Sequence, residues 1–262
     1  MIDRLKSWLS KKGQVLICYS GGLDSSLLAC VAAVVLGDGA LLAIVDHRAL
    51  PRRELLEATK RAESLGLRLQ ALSFPFMEIE KIVENGPDRC YHCRKGWAVM
   101  LKDLAESEGI STIADGLNLD DLSDDRPGTR AFDDAGIVHP FLELELSKAD
   151  LRRMAKSLGY DFWDRPSSAC LATRIPLCER ITEERLSRIE AGEEFLLDLG
   201  LSQVRLRDHG DLARIEVLPG DMALMLKRRA DVLKALRGLG YRHITIDLDG
   251  YRAGSMSRIH QI

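Results

Sequence analysis

Tyr19-Ser20-Gly21-Gly22-Leu23-Asp24-Ser25-Ser26 lies between an apolar run at 15–19 and a helix-like stretch at 27–36. Adjacent glycines permit a sharp turn that points several backbone N–H groups at one anion. The following helix offers its positive end, and the serines add hydroxyl donors. The stretch reads as a nucleotide phosphate cradle formed by Ser20, Gly21, Gly22, Asp24, Ser25 and Ser26. It has neither the Lys-Ser/Thr pair of a Walker A loop nor the third glycine of a dinucleotide fingerprint, so γ-phosphate transfer and NAD binding are not the natural readings. A carboxylate beside polyphosphate suits a Mg²⁺ ligand, direct or through water, and Asp24 at this position also suits a helix N-cap.

Outward from the cradle, strand-like runs at 15–19, 40–45, 68–73 and 112–115 alternate with helical patterns at 27–36, 52–65 and 94–108. That alternation predicts an α/β domain, a parallel sheet with helices on both faces. Ligands of such sheets lie beyond the carboxyl ends of the strands, where the Ser20 loop, Asp46 and Asp115-Gly116 all emerge. A helix over 147–158, with Ser147 as N-cap and Gly159 as its terminal glycine, closes this first domain, taken as 1–165. After Trp163-Asp164-Arg165-Pro166 the pattern changes. A long loop to Arg180 precedes a helix over 183–199, strands at 203–207 and 213–218, a helix over 222–239 and a strand at 243–247. The order predicts a small C-terminal α+β domain over 166–262.

The 262 residues, with average apolar and charged content, suit a folded enzyme of one or two cores. A net charge of −3 gives no global basic field, which argues against nucleic acid as partner. The charged N-terminus has no signal-peptide core and no run reaches membrane-spanning length, so a cytoplasmic, non-membrane protein is expected. Its six cysteines are then expected to be buried, metal-bound or reactive rather than paired.

Cys90-Tyr91-His92-Cys93 follows the turn Asn85-Gly86-Pro87-Asp88, and Cys170 stands in Arg165-Pro166-Ser167-Ser168-Ala169-Cys170-Leu171-Ala172-Thr173-Arg174-Ile175-Pro176. Two thiolates at that spacing can clasp one metal centre. A third from far along the chain completes three-point ligation of a [4Fe–4S] cluster with one open iron. Structural zinc is the competing reading, with His92 or Cys178 among four ligands. Cys18 and Cys30, in apolar surroundings, read as small buried side chains.

The Ser-Gly-Gly-x-Asp-Ser pattern resembles the PP-loop of ATP pyrophosphatases, and nearly the whole chain resembles the LarE-type ATP-dependent sulfur transferases. The wider resemblance rests on the cradle, on Arg89-Cys90-Tyr91-His92-Cys93, Asp115-Gly116-Leu117-Asn118-Leu119-Asp120-Asp121, Asp125-Arg126-Pro127-Gly128 and the run around Cys170. Arg205-Leu206-Arg207, Ala213-Arg214-Ile215-Glu216 and Gly250-Tyr251-Arg252-Ala253-Gly254-Ser255 complete it. The resemblance implies MgATP-dependent adenylation of a carboxylate of pyridinium-3,5-biscarboxylate mononucleotide, then displacement of AMP by sulfur during synthesis of a nickel-pincer cofactor. It also implies a homo-oligomer and, in one branch, a sulfide donor. In one family mechanism the cysteine matching Cys170 gives up its own sulfur and ends as dehydroalanine. In the other, three cysteines hold a [4Fe–4S] cluster, and the presence of Cys90, Cys93 and Cys170 favours that version here. Two stretches depart from the family. Val45-Asp46-His47-Arg48-Ala49-Leu50-Pro51 replaces a small-residue turn after the second strand, and Leu177-Cys178-Glu179-Arg180 follows Pro176 where Tyr-Gly-Thr-Pro is usual.

Asp120, Asp121, Asp124, Asp125, Asp133 and Asp134 form an acidic stretch that composition alone would leave as a solvated loop, and the family pattern lifts Asp115, Asn118 and Asp121 to crevice-lining candidates. Arg205, Arg207, Arg214 and Arg252 are candidates for the substrate phosphate, with Glu216 orienting one of them. Alternation puts Arg205 and Arg207 on one strand face, either a phosphate clamp or an ordinary exposed face. Trp97, one turn after Cys93, is expected to pack or to shield the cysteines. A tRNA thiolase would share the loop and cysteines but usually carries a basic RNA-binding module, which is not evident here. An ammonia-using PP-loop ligase would need no cysteine, and a metal scaffold with a regulatory nucleotide loop would release no pyrophosphate.

Overall fold

The computed structural model describes residues 1–123, 127–165 and 169–252. In chain order its elements are α1 (Ile2–Lys12), β1 (Val15–Cys18), α2 (Leu23–Leu36), β2 (Ala40–Asp46), α3 (Arg52–Ser64), β3 (Arg68–Ser73), α4 (Glu80–Val83), α5 (Arg89–Ser107), β4 (Ile113–Ala114), α6 (Pro127–Asp134), α7 (Pro140–Glu143), α8 (Lys148–Ser157), α9 (Glu183–Asp198), β5 (Val204–His209), β6 (Leu212–Val217), α10 (Met222–Lys227), α11 (Arg229–Gly238) and β7 (His243–Ile246). They form two compact units. Met1–Phe76 joins the described residues from Asp88 to Arg165, and Met77–Pro87 joins those from Ala169 onward.

The first unit holds a parallel sheet in the order β3-β2-β1-β4. Strand alternation divides its apolar residues between two cores. Val15, Ile17, Leu42 and Ile44 face a core shared with α1, α2, α3 and α8, whereas Leu16, Leu41 and Ala43 face Ala98, Leu101 and Ala105 of α5 and Phe132 of α6. Helices therefore cover both faces, as the alternation of elements predicts. α2 is apolar nearly all round because it is covered by neighbouring helices as well as by the sheet. β3, at the edge, is largely exposed, and Arg68 on it pairs with Glu108 at 2.6 Å.

Several boundaries differ from the sequence expectation. α2 begins at Leu23, so Asp24, Ser25 and Ser26 lie in its first turn. α5 begins at Arg89, which puts both Cys90 and Cys93 on the helix. α1 is a further helix, whose alternating charges mask in the sequence Leu5 and Leu9, one helical turn apart and fully buried. α6 carries Asp133 and Asp134, so that part of the acidic stretch is helix. The N-cap at Ser147 is present as a reciprocal box with Asp150.

In the second unit β5 runs antiparallel to β6, and β7 runs parallel to it. The helix expected over 222–239 is two helices, α10 and α11, meeting at Arg228. α9 lies close on β5 at Gly192, where a Cβ would stand 2.6 Å from Leu206 Cδ1 and 3.2 Å from Leu236 Cδ2. No helix among the described residues is long and apolar enough to cross a membrane.

Candidate active site

At the carboxyl end of β1 the chain turns through Ser20 and Gly21 into α2. Gly21 has φ 71°, and a Cβ there would stand 2.5 Å from Ala58 Cβ, so the turn needs glycine for both backbone and space. Arg61 of α3 donates to the Gly21 carbonyl at 2.7 Å. The two hydroxyls of Ser20 and Ser25 lie 3.0 Å apart, and the Ser20 N–H donates to Ser25 Oγ at 3.2 Å. Gly22, with ordinary φ −72°, is the N-cap of α2 and has no side-chain cap. The start of α2 follows directly on the carboxyl end of β1, the end of a parallel sheet at which α/β folds bind ligands.

Asp24, in the first turn of α2, is held from two other segments of the first unit. Both of its oxygens accept from Lys148 Nζ at 2.7 Å, and Oδ2 also accepts from Asn118 Nδ2 at 3.2 Å. Burial, opposed by Lys148, leaves its carboxyl above the usual aspartate range. Asn118, itself buried, donates to Asp121 Oδ2 at 2.8 Å, and Asp120 accepts the Lys148 backbone N–H at 2.6 Å. Asp120 and Asp121 thus fix the turn after β4 and the start of α8. Gly116 lets that turn approach α2, since a Cβ there would stand 2.8 Å from the Ser25 amide nitrogen.

Asp115 is buried. Its Oδ1 accepts from the Leu117 N–H at 3.0 Å and meets His139 Nδ1 at 2.6 Å, while His139 Nε2 meets Asp133 Oδ1 at 2.9 Å. Burial pulls His139 down, but its bonds to Asp115 and then Asp133 outweigh this and raise its pKa above the usual histidine value.

Asp46, at the end of β2, is paired with Arg52 at 2.6 Å. His47 beside it is buried against Phe76 and Trp97, each with ring centroids 5.2 Å away. Burial, and secondarily Arg52, lowers the His47 pKa to about 4, so the imidazole is neutral at physiological pH. Trp97 packs, as its spacing suggests.

Cys90 and Cys93 lie three residues apart on one face of α5, the first exposed and the second buried. Arg89 Nη2 approaches Cys90 Sγ at 3.7 Å, and His92 is engaged with Asp88 at 2.8 Å. Among the described residues no group of three or more His, Cys, Asp or Glu side chains is gathered to hold a metal ion. The Cys90–Cys93 pair by itself supplies two sulfur donors.

In the second unit, Cys170 precedes a short 3-10 turn, Leu171–Arg174. Its carbonyl accepts from the Thr173 N–H at 2.9 Å, Thr173 Oγ1 at 2.8 Å and Arg174 Nη1 at 3.1 Å. The fully buried Arg174 forms a fork on Glu193, with both N–O distances 2.9 Å. Arg205 and Arg207 are both buried, so their strand face is not an ordinary exposed one. Glu216, with no exposure, accepts from Arg207 at 2.6 Å and from Arg214 at 3.3 Å. The Arg205 guanidinium lies 5.0 Å from the Tyr251 ring centroid, and Arg252 pairs with Asp249. Asp124, Asp125, Arg126, Pro166, Ser167, Ser168, Ala253, Gly254 and Ser255 lie outside the described residues.

No protein-family model matches the sequence. Whole-length relatives do. The chain is 34% identical over 260 residues to an uncharacterized protein of Synechocystis sp., covering 98% of this chain and 97% of that one. It is 33% identical over 245 residues to pyridinium-3,5-bisthiocarboxylic acid mononucleotide synthase of Lactiplantibacillus plantarum, covering 93% of this chain and 89% of the synthase. The chain belongs to the LarE family. An uncharacterized protein of Methanocaldococcus jannaschii is 31% identical over 243 residues, covering 93% of this chain and 92% of its own.

Within this LarE-family chain, sequence reasoning did not find Lys148, His139, Arg61 or Glu193. Lys148 had one visible signal, its place next to the Ser147 N-cap of α8. His139 stands before Pro140 with no motif around it, and Glu193 lies on a helix whose neighbouring charges are mostly exposed.

Proposed function

We propose that this chain uses MgATP to adenylate a carboxylate of pyridinium-3,5-biscarboxylate mononucleotide, releases pyrophosphate, and exchanges AMP for sulfur to give a thiocarboxylate. The observation that carries this reading is the 33% identity to the synthase over 93% of the chain; the glycine turn, the Cys90–Cys93 pair and the buried arginines of this chain are in keeping with it.

A carboxylate is a poor electrophile. Attack of its oxygen on the α-phosphorus of ATP breaks the α–β phosphoanhydride bond, expels pyrophosphate and turns that oxygen into part of a good leaving group. In this reading Ser20, Gly21, Gly22, Ser25 and Ser26 hold the nucleotide, Asp24 takes Mg²⁺, and Asp46, Asp115, Gly116, Asn118 and Asp121 line the crevice. Arg205, Arg207 and Arg214, with Glu216 holding two of them, and Arg252 receive the mononucleotide phosphate.

Cys90, Cys93 and Cys170 would hold a [4Fe–4S] cluster, for which the Cys90–Cys93 pair has the right donors and spacing. Such a cluster supplies a labile sulfide when bound. Without it, the Cys170 thiolate attacks the acyl-adenylate carbon and AMP leaves. Loss of the Cys170 Cα proton then breaks its Cβ–S bond, giving the thiocarboxylate and dehydroalanine.

The test is anaerobic incubation of the purified chain with MgATP and the biscarboxylate mononucleotide, reading pyrophosphate and product mass. Substrate-dependent pyrophosphate with oxygen-to-sulfur exchange supports the reading. Pyrophosphate without sulfur incorporation in the presence of sulfide, or none at all, overturns it.

A further inference from the structure

His139 sits between two carboxylates. Its Nδ1 is 2.6 Å from Asp115 and its Nε2 is 2.9 Å from Asp133. Ionised carboxylates only accept hydrogen bonds, so making both contacts requires an N–H on each ring nitrogen, which only the imidazolium has. The ring is buried with Asp115, whereas the Asp133 side chain is 57% exposed. We infer that His139 is a positioning residue of the nucleotide crevice, holding Asp115 and the turn it begins in place only while the imidazole carries both protons.

The connections give this bridge its reach. Asp115 follows β4, its N–H donates to the Val138 carbonyl at 3.1 Å, and its side chain shapes the turn by accepting the Leu117 N–H. That turn delivers Gly116 against Ser25 and Asn118 to Asp24. At the other end, Asp133 lies on α6, which is clamped to the cysteine-bearing α5. Asp134 accepts from Tyr91 at 3.2 Å, and a Cβ on Gly128 would stand 2.8 Å from Arg94 Cδ. Cys18 and Arg94 are further titratable or charged groups on this side of the sheet. Burial, then the charge of Asp115, pushes the Cys18 thiol up to about 12, and Arg94, which opposes that shift, lies over the Phe132 ring at 5.0 Å. When His139 deprotonates, one carboxylate faces a bare ring nitrogen and that half of the bridge opens.

The inference rests on the nucleotide reading proposed above, and one experiment separates the two. MgATP affinity of the full chain is measured by calorimetry from about pH 6 to about pH 9, with the His139 ring followed by NMR. Wild type is expected to bind about tenfold more weakly at the alkaline end, with the loss tracking the His139 titration. His139→Gln, which keeps one donor and cannot titrate, is expected to bind weakly throughout and to lose that pH dependence. Asp133→Asn changes a mostly exposed side chain that lines no crevice. It removes one of the two charges favouring the imidazolium, so the fall should begin at lower pH, a shift that a purely structural role would not produce. Binding in wild type and in both variants with the same pH profile overturns the inference while leaving the nucleotide reading intact. No MgATP binding by wild type at any pH overturns both.

Discussion

Lys148 Nζ reaches both oxygens of the Asp24 carboxylate at 2.7 Å, joining the first turn of α2 to the first turn of α8 across 124 residues of chain. The pair is partly exposed, with side-chain exposures of 32% and 19%. Replacing Lys148 by methionine leaves the largely buried Asp24 carboxylate with the Asn118 amide but without its Lys148 countercharge and should destabilise the first unit by about 1–2 kcal/mol, read as a lower thermal midpoint. Asp24→Asn should leave the fold closer to wild type while reducing pyrophosphate release at least about 100-fold, because the proposed metal ligand is gone. An active Asp24→Asn enzyme would remove Asp24 from the metal site.

The two cradle glycines should respond differently to alanine. Gly21→Ala puts a methyl 2.5 Å from Ala58 Cβ at a positive φ, and the distortion should weaken nucleotide binding about tenfold or more. At Gly22, whose φ is −72°, the nearest atom to an added Cβ is Ser20 Oγ at 3.4 Å, so alanine there should have the smaller effect. Equal losses by calorimetry would contradict this account of the turn.

His47 gives stability a specific pH dependence. Its pKa of about 4 in the folded chain lies below the usual histidine value of 6.5, so the unfolded chain binds more protons between those values. The contribution of the neutral ring is complete above about pH 6.5 and is lost as the pH falls toward 4, by about 3 kcal/mol in all. His47→Phe keeps an aromatic ring beside Phe76 without the titration. The difference in denaturation free energy between wild type and variant should change over that window and be flat above it.

Glu216 carries two arginines with no exposure of its own. Glu216→Ala should cost about 3–5 kcal/mol, because Arg207 would remain buried without its carboxylate. Arg207→Lys, which loses the planar fork, should raise KM for the mononucleotide more than it lowers kcat. A change in kcat alone would argue against the phosphate assignment.

Iron content separates the two sulfur sources. Anaerobically reconstituted wild type should hold about four irons per chain, and Cys93→Ser markedly fewer. An iron-free protein that loses about 34 Da at Cys170 after turnover would instead identify the sacrificial route.

The sheet, its helices and the glycine turn before α2 were legible because strand alternation, adjacent glycines and helix caps are local signals. The strands at 40–45 and 68–73 needed at most one residue of adjustment against the observed β2 and β3. Long-range pairing was not legible. Nothing near Lys148 names Asp24, and the spacing around His139 does not announce that both its nitrogens end on carboxylates. The arginine face of β5 was ambiguous because alternation assigns residues to a face but cannot say whether that face is covered. Its burial is settled by Glu216, whose own position depends on the β5–β6 register of Arg205 against Glu216.

Asn85, with φ 60°, donates through Nδ2 to the carbonyls of Pro176 at 2.8 Å and Glu179 at 3.0 Å, partners 91 and 94 residues further on. During synthesis the segment Met77–Pro87 therefore leaves the ribosome long before the residues that complete its hydrogen bonds, while β4 and α8 of the first unit are still to come. The smaller unit cannot finish folding until the chain has passed Glu179, so a stalled or truncated product ending at residue 165 would display this segment without its partners to chaperones and proteases.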